Sequence, residues 1–193
     1  MTRKRSCEPL FDVGGVKFCS KCGKVAYTGH TFNARRAQSS ALYLYDVETG
    51  ETSCLVEDGT YSIGNFCFDN AHGEIVFSAN PIKDGYPAPG NNLYAVSLKG
   101  GKVEAVYEGI PEELGCTTGC DVRYGGGNSM KAVDGVLYLV TSYDNTSGLC
   151  SLKRGEKKLH HITAPSVGVD FFGVSEGRFF TVGLNGTKIQ EVY

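Results

Sequence analysis

The sequence predicts an all-β chain, a partial β-propeller of about three and a half four-stranded antiparallel blades. Three observations predict it. A repeat of roughly 50 residues runs along the chain. Each copy holds short apolar or alternating runs separated by glycine-bearing turns. No segment sustains a 3.6-residue apolar period with caps, so almost no helix is expected.

The repeat is read as follows. Phe18-Cys19, then Gly23-Lys24-Val25-Ala26-Tyr27-Thr28, is echoed by Phe66-Cys67, then Gly73-Glu74-Ile75-Val76-Phe77-Ser78, at offsets of 48 and then 50 residues. Leu42-Tyr43-Leu44-Tyr45-Asp46 ahead of Thr49-Gly50 returns 51 residues later as Leu93-Tyr94-Ala95-Val96-Ser97 ahead of Gly100-Gly101. A more divergent third copy runs through Asp134-Gly135-Val136-Leu137-Tyr138 and Gly148-Leu149-Cys150-Ser151-Leu152, turns at Arg154-Gly155 and ends near Thr163. A fourth begins at Val169-Asp170-Phe171-Phe172, passes Glu176-Gly177-Arg178-Phe179-Phe180 and stops at Tyr193, one strand short. The expected organisation is a tail over residues 1–10 and blades over 11–58, 59–109, 119–164 and 165–193.

Composition agrees. The 26 glycines suit tight turns, and 11 tyrosines with 10 phenylalanines suit strands. A net charge of -2 gives no electrostatic reason to expect nucleic acid or an anionic membrane as partner. No apolar run approaches the roughly 20 residues of a membrane span, and the first residues lack the apolar core of a secretory signal. A cytoplasmic protein with reduced thiols among its eight cysteines is therefore expected.

Several motifs invite a chemical reading. Gly173-Val174-Ser175-Glu176-Gly177 fits G-x-S-x-G, but a nucleophile elbow needs a helix after the serine and then an acid and a histidine. A strand pattern follows instead, and neither His nor Asp occurs after Ser175. Cys19-Ser20-Lys21-Cys22 looks like half a zinc site, with Cys116 and Cys120 as the other half, but Cys19 aligns with Cys67, which has no second cysteine nearby. His160 and His161 are adjacent in an expected strand and so face opposite sides; His30 and His72 read as loop and turn residues. Gly125-Gly126-Gly127 lacks the lysine of a phosphate loop. No catalytic, cofactor-binding or metal-binding residue is expected, and no cofactor. The long loops remain. His30 to Ser40 carries Arg35 and Arg36, and Asn80 to Asn91 carries three prolines; in a propeller both emerge on one face.

Cys22-Gly23-Lys24-Val25-Ala26-Tyr27 and its copies resemble the Asp-Gly-Lys-x-Ile-Ala-Phe blade turns of TolB-like and peptidase propellers. Two longer stretches, Gly119-Cys120-Asp121-Val122-Arg123-Tyr124-Gly125-Gly126-Gly127-Asn128-Ser129 and Phe180-Thr181-Val182-Gly183-Leu184-Asn185 onward to Tyr193, resemble the propeller of prolyl-oligopeptidase-family enzymes of the acylaminoacyl-peptidase type. The resemblance covers residues 11–193. It implies a non-catalytic piece of a serine peptidase, gating or selecting peptide substrates for an α/β-hydrolase domain that carries the Ser-Asp-His triad. It also implies remaining blades as partners, and Arg35, Arg36, Arg123 and Tyr124 as substrate-facing residues. Cut blade faces would drive self-association. The alternative is a stand-alone TolB-like binding propeller.

Overall fold

A computed structural model describes residues 11–31, 38–117, 127–164, 168–185 and 188–193. Among them there is no helix, and the strands form four small antiparallel sheets arranged as four propeller blades. The first sheet runs in the order β1 (Phe11–Cys19), β2 (Lys24–Thr31), β3 (Ala41–Asp46), β4 (Thr52–Val56). The second runs β5 (Tyr61–Asp69), β6 (Glu74–Lys83), β8 (Leu93–Ser97), β9 (Glu104–Tyr107), with β7 (Tyr86–Pro87) folding back on the end of β6. In the third, β12 (Val136–Tyr143) is flanked on one side by β13 (Thr146–Lys153) and then β14 (His160–His161), and on the other by two short pieces, β10 (Glu113–Leu114) and β11 (Met130–Val133). The fourth has three strands, β15 (Gly168–Ser175), β16 (Arg178–Asn185) and β17 (Lys188–Val192).

One irregularity recurs at one level of every sheet, five residues past the turn glycine. In the first sheet the β1–β2 register slips between Val13 and Val16, opposite Thr28; in the second it slips between Ile63 and Phe66, opposite Ser78. Each slip is a β-bulge, one extra residue on the inner strand, which bends it and strengthens its twist. A hydroxyl fills each bulge. The Gly15 N–H donates to Thr28 Oγ1 at 3.1 Å, and the Asn65 N–H to Ser78 Oγ at 2.9 Å. The chain comes so close that a Cβ on Gly14 would stand 2.7 Å from Thr28 Oγ1, and one on Gly64 2.8 Å from Ser78 Oγ. The fourth sheet slips between Val169 and Phe171, and its extra residue, Asp170, accepts a hydrogen bond from Gln190 of β17 at 2.6 Å. In the third sheet the bulge has become an insertion. Gly115 N–H donates to the Val140 carbonyl and Val140 N–H to the Ser129 carbonyl, both at 2.8 Å, so the chain leaves the inner strand at Gly115 and rejoins it at Ser129.

The turn pairs fix the repeat register and correct one alignment. Cys19 faces Lys24 and Asp69 faces Glu74, so Cys19 corresponds to Asp69 and not to Cys67. The Phe-Cys dipeptides are two residues out of register, a shift that leaves strand alternation intact and so hides in the apolar pattern.

The core lies in the seams between neighbouring sheets. Ala26, Leu42 and Leu44 of the first sheet pack on Phe66, Ile75 and Phe77 of the second. Cys67, Val76 and Leu93 of the second pack on Met130, Leu137 and Leu152 of the third. Val140 and Leu149 of the third pack on Val169 and Phe172 of the fourth, with the Tyr138 and Phe179 rings 4.7 Å apart. Among the described residues, no core cluster joins the fourth sheet to the first, and the two end faces stay open. Leu42 and Leu44 are buried in the first seam. Only Tyr43 between them turns outward, because successive strand residues point to opposite faces.

The outward face of the first sheet copies the face by which the second sheet docks. Val16, Phe18, Val25, Tyr27, Tyr43 and Tyr45 stand where the second sheet has Phe66, Phe68, Ile75, Phe77, Tyr94 and Val96, all buried against the first sheet. Even the aromatic trio recurs. Tyr43 lies 5.7 Å from Phe11 and 5.2 Å from Tyr27, just as Tyr94 contacts Tyr61 and Phe77 at 5.0 and 6.0 Å. Phe18 is 64% exposed, whereas its equivalent Phe68 is 9% exposed.

Candidate functional site at the inner-strand turns

The turns that join the first two strands of each sheet converge on a cavity of about 990 Å³. Lys17, Cys19, Lys21 and Cys22 come from the first sheet, Asp69 and Asn70 from the second, Lys131 and Asp134 from the third, Val174 and Glu176 from the fourth. Short turns make this possible. In the third and fourth sheets two residues suffice, Asp134-Gly135 and Glu176-Gly177, all four at positive φ, the mirror-image hairpin turn that matches strand twist. Ser175 is thus the last residue before a hairpin, and β16 follows where a nucleophile elbow needs a helix.

Side-chain contacts between residues distant in sequence tie the sheets. Lys17 Nζ donates to Asn128 Oδ1 at 2.8 Å, and the Asn128 carbonyl accepts from the Phe172 N–H at 3.0 Å. Arg154 at the β13 turn grips Glu74 of β6 with both guanidinium nitrogens, at 2.6 and 3.2 Å. Burial pushes the Glu74 carboxyl up from its ordinary range, with Arg154 opposing the shift.

Asp69, His72 and Glu74 bring three ligand-type atoms together, the only such group among the described residues. The donor set does not fit a cation. His72 Nδ1 is bound to Asp69 at 2.8 Å, and both Glu74 oxygens face the positive guanidinium of Arg154. Of the four cysteines weighed as a zinc set, three are described. Cys116 sits against Ser147 Oγ at 3.2 Å on the third sheet, Cys19 and Cys22 line the cavity, and Cys120 lies outside the described residues. His160 turns to Glu156 at 3.1 Å and His161 to Cys150 at 3.2 Å, on opposite sides of β14.

Arg35, Arg36, Arg123 and Tyr124 also lie outside the described residues. The described residues nonetheless show where two of them branch off. Arg123 and Tyr124 belong to the insertion between Gly115 and Ser129, which opens directly from the inner strand of the third sheet. Sequence reasoning missed Lys17, Asn128, Glu74 and Arg154, whose pairings span 111 and 80 residues and leave no local signal.

No family model matches the sequence, and no curated protein matches it. Solved structures do match. The β-propeller domain of the Trilobed protease from Pyrococcus furiosus superposes with a TM-score of 0.64 at 15% identity, over 96% of this chain and 52% of that one. The acylaminoacyl peptidase of Pyrococcus horikoshii gives 0.64 at 16% identity, over 96% of this chain and 25% of that one. A TolB structure from Agrobacterium tumefaciens gives 0.54 at 12% identity, over 86% and 52%. This chain therefore spans about half of one known propeller domain and a quarter of a whole peptidase, and what it shares with all three is the β-propeller fold.

Proposed function

We propose that this chain is the non-catalytic propeller portion of a serine-peptidase-like hydrolase of the prolyl oligopeptidase family, acting in the cytoplasm to gate or select peptides for an α/β-hydrolase domain elsewhere in the assembly. The observation that supports it is the open outer face of the first sheet, residue for residue a copy of a face that docks on a neighbouring blade. Such a face calls for more propeller than four blades. The likeness to propellers of larger peptidases supports the same reading. The inner-strand cavity and the 115–129 insertion are the parts of this chain that a peptide would meet, with Arg123 and Tyr124 as substrate-facing residues and Arg35 and Arg36 on the loop between β2 and β3. In the isolated chain the open face would take the free face of the fourth sheet, around Phe180 and Val182, in a second copy. Sequencing the gene on both sides of these 193 residues tests the proposal. Further blade repeats followed by a G-x-S-x-G elbow, an Asp and a His support it. Flanks without them leave the second reading, a stand-alone TolB-like binding propeller, which the TolB likeness favours.

A further inference from the structure

Cys19 ends β1 and Cys22 sits three residues on, in the turn that Gly23 closes by donating its N–H to the Cys19 carbonyl at 3.0 Å. The Cys22 N–H donates to Cys19 Sγ at 3.3 Å, and Cys19 Sγ donates to Asn70 Oδ1 at 3.2 Å. The corresponding turn of the second sheet shows what this position requires. There Asp69, the equivalent of Cys19, uses a carboxylate oxygen to accept the turn N–H of Ala71 at 3.1 Å and pairs with His72, the equivalent of Cys22. In the first sheet a sulfur does the work of that carboxylate, a role that suits thiolate better than thiol. The two ionisations split accordingly. Burial would raise Cys19, but hydrogen bonds with the Cys22 thiol and N–H and with the Asn70 side chain outweigh it and hold Cys19 below the ordinary thiol range. Burial and the Cys19 sulfur push Cys22 up to about 11. Cys54, Cys67 and Cys150 shift the other way. Cys67 is buried and pushed up to about 12, and Cys54, though exposed, is raised by burial of its sulfur and by Glu57. Both Cys19 and Cys22 open onto the cavity, and no third metal ligand joins them among the described residues.

We propose that Cys19 and Cys22 form a redox-active dithiol that a small hydroperoxide, entering through the cavity, closes to a disulfide. The Cys19 thiolate attacks the terminal peroxide oxygen, and the O–O bond breaks. The leaving oxygen departs as hydroxide or alkoxide and is protonated, leaving a sulfenic acid on Cys19. Cys22 loses its proton, attacks the Cys19 sulfur and expels hydroxide, which takes up a proton as water. Two thiols are oxidised and one peroxide is reduced. The Cys22 N–H stands 3.3 Å from Cys19 Sγ and the Cys22 Sγ 4.0 Å from the Cys19 carbonyl oxygen, so one closed turn holds both side chains together. The inference is independent of the peptidase reading.

Trypsin cuts between the pair, after Lys21, so the product is read directly. The reduced 193-residue chain is treated with limiting hydrogen peroxide, blocked with an alkylating agent, digested and analysed by mass spectrometry. The expected result is peptide 18–21 disulfide-linked to peptide 22–24, formed ahead of oxidation at Cys54 and reversed by dithiothreitol. Cys22→Ser, with an unchanged circular dichroism spectrum, loses the linked peptide and accumulates dimedone-reactive sulfenic acid on Cys19. Oxidation that begins at Cys54 while both turn cysteines stay alkylatable overturns the proposal. So does a purified chain whose turn carries stoichiometric zinc and resists peroxide until chelated.

Discussion

Lys17 Nζ stands 2.8 Å from Asn128 Oδ1, joining the inner strand of the first sheet to the residue that leads into the inner strand of the third, 111 positions away. Asn128 also bridges to Phe172 of the fourth sheet. One asparagine beside the cavity therefore touches the inner strands of blades that share no core seam.

The contact is solvent-exposed, so its energetic share is small. Asn128→Ala is expected to lower unfolding free energy by only about 0.5–1 kcal/mol in a urea titration, the scale of an exposed charged hydrogen bond.

The seams carry the stability. Phe77 is fully buried between the first two sheets. Phe77→Ala should cost about 3–5 kcal/mol, the transfer free energy of the ring plus the cavity it leaves. The outward equivalent Tyr27 in Tyr27→Ala should cost far less in the monomer, because among the described residues no other sheet packs against it.

The bulge glycines are fixed by close approach. Gly64→Val would drive a branched Cβ into Ser78 Oγ, displacing the hydroxyl that satisfies the Asn65 N–H. Denaturant unfolding should show a loss of about 1–3 kcal/mol. The double change Gly64→Val with Ser78→Ala removes the steric contact and should recover only part of that loss, because the bulge N–H then has no acceptor.

The Arg154–Glu74 pair gives a pH-dependent prediction. Burial raises the folded-state Glu74 carboxyl above its unfolded value, so the native state binds the proton more tightly. By linkage, its contribution to stability falls as pH rises from the unfolded value through the raised one. Arg154→Met removes the partner that offsets this burial. The variant should lose about 1–2 kcal/mol near neutral pH and less than half of that near pH 4, where Glu74 is protonated and needs no cation. An equal loss at both pH values would contradict this role of the pair.

Much of the fold was legible because its signals are local. Gly23 and Gly73 end matching hairpin turns, Leu42-Tyr43-Leu44 alternates as a half-buried strand does, and Leu93-Tyr94-Ala95-Val96 is the continuous apolar run of a strand buried on both faces. The register was less legible, since Phe18-Cys19 matches Phe66-Cys67 by composition while the turn pairs match Phe18 to Phe68. A two-residue slip costs the pattern nothing. The bulges were invisible because a single extra residue leaves no mark unless the facing hydroxyl of Thr28 or Ser78 is known to lie opposite. The site was legible least. Lys17, Asn128, Glu74 and Arg154 meet only through the arrangement of blades, and Arg154-Gly155 read simply as a turn.

Docking of another blade on the outer face of the first sheet is measured by light scattering of the isolated chain across micromolar concentrations. Reversible dimerisation is expected, lost in Phe18→Glu and in Tyr27→Lys while the β-sheet circular dichroism signal is kept. A wild-type chain that stays monomeric at tens of micromolar would contradict it.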